Sequence, residues 1–275
     1  MPSRYPVLSP QASQAPSNGL CALAVMSKAP CAGMVKTRLV PPLTPEEAAA
    51  LNVCFLRDMA ANIAGVARSG EADGVAVYTP VGAESAYDGL LPEGFSLLAQ
   101  RGASLGDRLF HAAEDLLAVG YGSLCLIDSD SPTLPGPLLR AAVAALKRPG
   151  DRVALGPADD GGYYLIGLKH AHRRLFEDID WSTARVLRQT IERAAEINLA
   201  VELLPAWYDV DEASSLRRLC EELFAKPAEP AKQDGRDYGV GYAATHTRGY
   251  LARLIGAEGR SRIWPEAQAQ REQKA

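Results

Sequence analysis

Two carboxylates spaced two residues apart at the end of an apolar run are the first groups in this chain that can do chemistry. Asp128-Ser-Asp130-Ser-Pro132 follows the apolar residues 124–127. Carboxylates leaving a strand at that point can converge on a hard cation whose other ligands are phosphate oxygens and water. The same composition makes a good turn or helix cap, and it is the place at a strand's carboxyl end that favours the metal. A second acidic pair lies in Trp207-Tyr-Asp209-Val-Asp211. Asp209 and Asp211 alternate across an extended segment, so both can face one side and complete a shell begun by Asp130, with N-capping of the following helix by Asp211 as the competitor.

Cations supply the complement. In Lys28-Ala-Pro-Cys-Ala-Gly33-Met-Val-Lys36-Thr-Arg38, a turn at Gly33 lets backbone amides approach a diphosphate while Lys28, Lys36 and Arg38 offer charge-assisted hydrogen bonds. The spacing Gly33-x-x-Lys36-Thr37 is not that of a P-loop, which excludes that NTPase class. A solvated basic loop is the plain alternative. A further stretch, Gly156-Pro-Ala-Asp159-Asp160-Gly161-Gly162-Tyr-Tyr164, pairs acids with glycines. Gly161 and Gly162 let a substrate press against backbone, and Asp160 can orient or deprotonate an acceptor hydroxyl. Asp159 is its rival, and a bare hairpin turn is the structural alternative. Trp181-Ser182-Thr183 reads as a helix start whose indole can also pack a ligand.

The elements that must position these groups alternate regularly. Residues 20–26 read as a buried strand, and Thr44 with Glu47 forms a capping box ahead of Ala48, Leu51, Phe55, Met59 and Ile63 at helical spacing. Strands follow at 74–79 and 95–100, a helix from Ser104 to 119, a strand at 123–127 and a helix at 135–147. Strands at 152–155 and 163–168 lead to a helix beginning at Ser182 or Thr183, a strand at 201–204 and a helix at 212–224. This alternation predicts an α/β fold with a mainly parallel sheet covered on both faces, whose ligands gather at the strands' carboxyl ends.

Composition narrows the classes. The 275 residues and 47% hydrophobic content favour one sizeable domain, and a formal charge of −4 gives no footprint for nucleic acid. No apolar stretch approaches the roughly 18 residues of a membrane span. Five cysteines without a CxxC pair read as reduced thiols of a cytoplasmic protein. Scattered histidines predict no histidine-rich metal site. Residues 1–19 read as a disordered lead-in, 20–225 as the domain, and 226–275 as a linker and C-terminal extension carrying one short helix near 242–255.

Taken in order, these blocks resemble a family of small bacterial nucleotide-diphospho-sugar transferase-like proteins, long of unknown function and often labelled arsenosugar-biosynthesis glycosyltransferases. The resemblance rests on Lys28-x-Pro-x-x-Gly33-x-Val-Lys-Thr-Arg-Leu39, Leu105-Gly-Asp-Arg-Leu109, Asp130-x-Pro132, Gly156-Pro-Ala-x-Asp-Gly-Gly-Tyr-Tyr164, Trp181-Ser-Thr183 and Trp207-Tyr-Asp-Val-Asp211. More distantly, the layout is similar to nucleotidyltransferases that make molybdopterin dinucleotides or guanylylate phospholactate.

The resemblance implies a GT-A, Rossmann-like three-layer sandwich with a mainly parallel mixed sheet. It further implies Lys36 and Arg38 for phosphate, Asp130 for a Mg²⁺ or Mn²⁺ ion, Asp211 as second ligand and Asp209 in reserve. Asp128 departs from the family, where glycine is expected two residues before the metal-binding aspartate; its carboxylate can join the ion, crowd the phosphate or point outward. The expected activity is metal-dependent glycosyl transfer from a nucleotide sugar to a small-molecule acceptor. Nucleotidyl transfer from an NTP with pyrophosphate release, and a non-catalytic nucleotide-binding module, are the alternatives. A homodimer is neither demanded nor excluded.

Overall fold

Along the first strand, Cys21, Leu23 and Val25 enter one apolar cluster while Ala22 and Ala24 enter another, as the two-residue period of a strand buried on both faces requires. A computed structural model describes residues 4–11, 19–225, 230, 232–233 and 235–264. A short antiparallel pair, Lys232–Gln233 with Arg236–Asp237, stands apart from the main sheet, whose strands are β1 (Cys21–Lys28), β2 (Ala72–Thr79), β3 (Ser96–Ala99), β4 (Ser123–Ile127), β5 (Arg152–Pro157), β6 (Tyr163–Leu168) and β7 (Ala200–Leu203), in the order β3-β2-β1-β4-β6-β5-β7. Within this sheet β6 pairs antiparallel with both β4 and β5, and every other pairing is parallel. The carboxyl ends of β1, β4, β5 and β7 therefore open on one edge of the sheet, together with the start of β6.

Helices α1 (Pro45–Ala67), α3 (Gly136–Lys147), α5 (Ala213–Phe224) and α6 (Thr245–Glu258) cover one face, and α2 (Leu105–Ala118) and α4 (Val186–Glu196) the other. This is the mixed three-layer α/β sandwich expected. The expected capping box of Thr44 with Glu47 opens α1, and Ser104, expected to start α2, forms one with Asp107. α4 starts at Val186 rather than at Ser182 or Thr183. Ser182 sits at φ 62°, and Thr183 Oγ1 donates to Asp180 O at 2.7 Å and accepts from Arg185 N, so these residues close a turn before the helix begins.

Two expectations about the ends change. Residues 4–11, part of the expected disordered lead-in, run beside β3. Leu8 N donates to Leu97 O at 2.7 Å, Leu97 N donates to Pro6 O at 2.8 Å, and the buried Tyr5 donates its hydroxyl to Leu91 O. This covers an otherwise open sheet edge; residues 1–3 and 12–18 lie outside the described residues. In the expected C-terminal extension, α6 packs on α1 with Leu251 fully buried. Asp58, buried within α1, accepts from His246 N at 3.0 Å and Thr247 N at 2.7 Å, closing orphan amides of the first turn of α6. The remainder of the expected linker, residues 226–229, 231 and 234, and the end from 265 to 275 lie outside the described residues. Among the described residues, no helix is long and apolar enough to cross a membrane.

Candidate active site

The loop after β1 turns at Gly33, whose φ of 74° suits glycine, and Lys28 at the strand's end donates Nζ to Met34 O at 3.0 Å. Lys36 itself takes a left-handed conformation, φ 50°, and sends its side chain inward to 3% exposure. Its ammonium donates to Val210 O, Asp130 Oδ1 and Asp211 Oδ1, each at 2.8 Å, and lies 5.4 Å from the centroid of the Phe55 ring. Burial disfavours the charge, yet Asp130 and Asp211 outweigh it and raise the lysine above its ordinary value. All three ammonium hydrogens are thereby spent on protein oxygens. Lys36, expected at the phosphate, here draws together two carboxylates far apart in sequence and still lines the smaller cavity.

Those carboxylates are held from several sides. Val210 N donates to Asp130 O at 2.9 Å, tying the segment after β4 to the one after β7. Ser129 Oγ donates to Asp130 Oδ1 at 3.0 Å, and Asp211 N donates to Ser215 Oγ at 3.0 Å. The residue that caps α5 is Glu212, which leaves Asp211 free of that duty. Burial works against ionisation of Asp211, but Lys36 and then Arg38 hold its carboxyl below the usual value. Arg38 is 67% exposed, with Nη1 3.7 Å from Asp211 Oδ2 and Nη2 3.4 Å from Glu212 Oε2.

Asp128 does not join the pair at Lys36. Its Oδ1 accepts from Asp130 N at 3.2 Å and its Oδ2 from Ser131 Oγ at 3.0 Å, so both oxygens brace the turn. Desolvation, followed by the charges of Asp130 and Asp209, pushes Asp128 well above the usual carboxylate range. Asp159 pairs with Arg218, whereas Asp160 Oδ1 accepts from Gly162 N at 2.8 Å and lines the cavity that also holds Asp130 and Asp211; both acids border a further cavity beside Asp211 and Arg218. Gly161 has φ 89°, and a Cβ there would stand 2.4 Å from Ala184 O, so only glycine lets this turn pack under the loop that carries Trp181.

Two cavities meet at the carboxylate pair. A smaller one, 250 Å³, is bounded by Lys28, Lys36, Thr37, Arg38, Asn52, Ser129, Asp130 and Asp211. The larger, 440 Å³, has an acidic floor of Asp128, Asp130, Asp160, Asp209 and Asp211 and an apolar wall that includes Leu105, Leu109, Tyr163 and Trp181, with Arg38 its one cation among the described residues. The arrangement thus brings together Lys36, Arg38, Asp130, Asp211 and Asp160, with Lys28 on the basic side and Gly161–162 shaping the turn. Sequence reasoning held Asp209 in reserve and passed over Asn52. Desolvation, then the neighbouring Asp160 and Asp211, push Asp209 up to about 6. The signal for Asn52 is a polar residue, beside Leu51, within the helical pattern of α1, where it is buried.

A family model described as "Uncharacterized protein conserved in bacteria (DUF2064)" matches residues 62–183. No curated protein matches the chain. Among solved structures, the chain is similar to one described as a "putative nucleotide-diphospho-sugar transferase" from Desulfovibrio desulfuricans G20, at 30% identity and TM-score 0.73, covering 89% of this chain and 98% of that one. It also aligns with CMP:2-keto-3-deoxy-manno-octonic acid synthetase in complex with CTP, at 11% identity and TM-score 0.47 over 73% and 97% of the two chains. A cytidylyltransferase from Leptospira borgpetersenii aligns at 11% identity and TM-score 0.46 over 90% and 97%.

Proposed function

We propose, from the premise that the chain belongs to the bacterial DUF2064 family, that it is a transferase moving a glycosyl group from a nucleotide-diphospho-sugar to a small-molecule acceptor with a Mg²⁺ or Mn²⁺ ion. The observation that carries this reading is the meeting of Asp130 and Asp211 on Lys36, beside a cavity large enough for a sugar and an acceptor. The description carried by the similar Desulfovibrio protein supports it. The donor set fits a hard cation. Each carboxylate gives Oδ1 to Lys36, Asp211 Oδ2 stands 3.7 Å from Arg38 Nη1, and the two carboxyl groups also lie within hydrogen-bond reach of each other. Oxygen-only ligands of this kind suit Mg²⁺ or Mn²⁺. When bound, such an ion neutralises charge on the diphosphate as the sugar–phosphate bond breaks.

In this reading Lys36 is a positioning residue that fixes the two carboxylates. Exposed Arg38 carries the direct phosphate contact, and Lys28 flanks it on the basic side. Asp160 orients the acceptor hydroxyl and takes its proton, a role typically contributing about 10²–10⁴-fold in rate. Leu105, Leu109 and Trp181 keep water from the sugar. Five free cysteines suit a reducing cytoplasm.

Product identity tests the reading. Incubation with a panel of sugar nucleotides, Mn²⁺ and candidate acceptors releases free nucleoside diphosphate, and Asp130→Asn abolishes that release while the variant stays folded by circular dichroism. Pyrophosphate release from an NTP instead assigns nucleotidyl transfer, and nucleotide binding without turnover assigns a non-catalytic module.

A further inference from the structure

At the opposite end of the sheet, where β5 begins and β6 ends, Asp151 meets His170 and His172. His172 Nε2 lies 2.7 Å from Asp151 Oδ2 and His170 Nδ1 3.2 Å from Asp151 Oδ1, with one ligand atom from each residue inside a 4.8 Å cluster. The expectation that scattered histidines leave no such cluster overlooked the His-x-His spacing, which a chain leaving a strand can fold back on itself; here His172 N donates to His170 O at 3.0 Å. We propose that Asp151, His170 and His172 form a second metal site that takes a zinc-class divalent transition ion, separate from the Asp130–Asp211 centre in place and in chemistry.

Donor type and spacing carry this. Ligand atoms around a tetrahedral zinc stand roughly 3.3 Å apart, given bonds of about 2.0–2.1 Å, and the two separations, 2.7 and 3.2 Å, both lie slightly inside that value. Two imidazoles and one carboxylate favour late first-row ions, whereas Mg²⁺ prefers oxygen and retained water.

Three protein ligands leave a fourth position for water, and His170 is exposed enough to admit one, with its side chain 69% accessible. The turn bearing Asp151 is already fixed: Lys169 Nζ donates to Arg148 O and Gly150 O, both at 2.8 Å. That keeps the lysine's charge on carbonyls and reduces the ordering cost of binding. A bound ion joins the segment after β6 to the start of β5, a cross-link that stabilises the folded state by mass action.

The test is calorimetric titration of the full chain, stripped with chelator, with ZnCl₂ in excess Mg²⁺, paired with thermal melts. Wild type binds one equivalent of Zn²⁺ and melts higher with it. His172→Ala and Asp151→Asn each weaken binding by at least about tenfold, the low end of what even an outer-shell loss costs, and Asp130→Asn leaves it unchanged. That last variant separates this site from the proposed active centre. The proposal is overturned if wild type shows no saturable Zn²⁺ binding, or if binding survives in the His170→Ala/His172→Ala double variant, including the case where Cys31→Ser then abolishes it.

Discussion

Lys36 decides the character of the site. An ammonium held by Asp130, Asp211 and a backbone carbonyl organises the acidic pair before any ligand arrives, so electrostatic preorganisation is built into the fold. Replacing it with methionine keeps the volume and removes the charge. Losing one partner of a fully buried ion pair costs about 3–5 kcal/mol. Because Asp130 and Asp211 are 30% and 37% exposed, solvent screening reduces this to roughly 2 kcal/mol, and urea denaturation of Lys36→Met checks it. A stability equal to wild type contradicts the role assigned here. At this scale the sequence identified which residues meet but not how each is spent. The convergence of Asp130 and Asp211 followed from their places at two strand ends. That Asp159 turns to Arg218 and Asp160 to the cavity depends on α5, more than fifty positions away, which no local pattern encodes.

Elements were legible wherever local rules act alone. Capping boxes at Thr44 and Ser104 fixed the starts of α1 and α2, because a side chain three residues away satisfies the orphan amides. The start of α4 was misplaced, since Thr183 prefers a local turn bond to a cap. The docking of α6 was also hidden. Its first turn is closed by Asp58 from α1, 188 residues away from His246, and a tertiary cap of this kind has no sequence signature. Asp58→Ala leaves the buried Thr247 amide and the part-buried His246 amide without an acceptor, at a cost of about 1–3 kcal/mol. We expect the loss to be local: hydrogen exchange across 245–258 accelerates while the central strands keep their protection. Uniform acceleration, or none, contradicts the cap.

Over the whole molecule, the alternation of strands and helices implied a mainly parallel sheet, but not that β6 inserts antiparallel between β4 and β5. The short Asp159-Asp160-Gly161-Gly162 turn permits that reversal, while the position of β6 beside β4 is set by packing across both faces. One global consequence is a pH dependence of stability. Glu222 on α5 accepts from Tyr208 and from Thr133 Oγ1, yet desolvation outweighs both and raises its carboxyl. A raised carboxyl binds its proton more tightly in the folded state than in the unfolded one. Its contribution is therefore complete below the ordinary glutamate value of about 4.3 and is lost as pH rises through the folded value. Urea melts from about pH 4 to about pH 7 should show Glu222→Gln gaining on wild type as pH increases; parallel curves contradict the assignment.

The account stands on Asp130 and Asp211 acting together as the seat of an ion that grips a diphosphate. Calorimetric titration with UDP, GDP, CDP and ADP, with and without Mn²⁺, measures this most directly. Wild type should bind one of them at least about tenfold more tightly with Mn²⁺, equivalent to about 1.4 kcal/mol, and Asp130→Asn or Asp211→Asn should lose that gain. Equal affinity with and without the ion for every nucleotide, or a gain that survives in both variants, contradicts it.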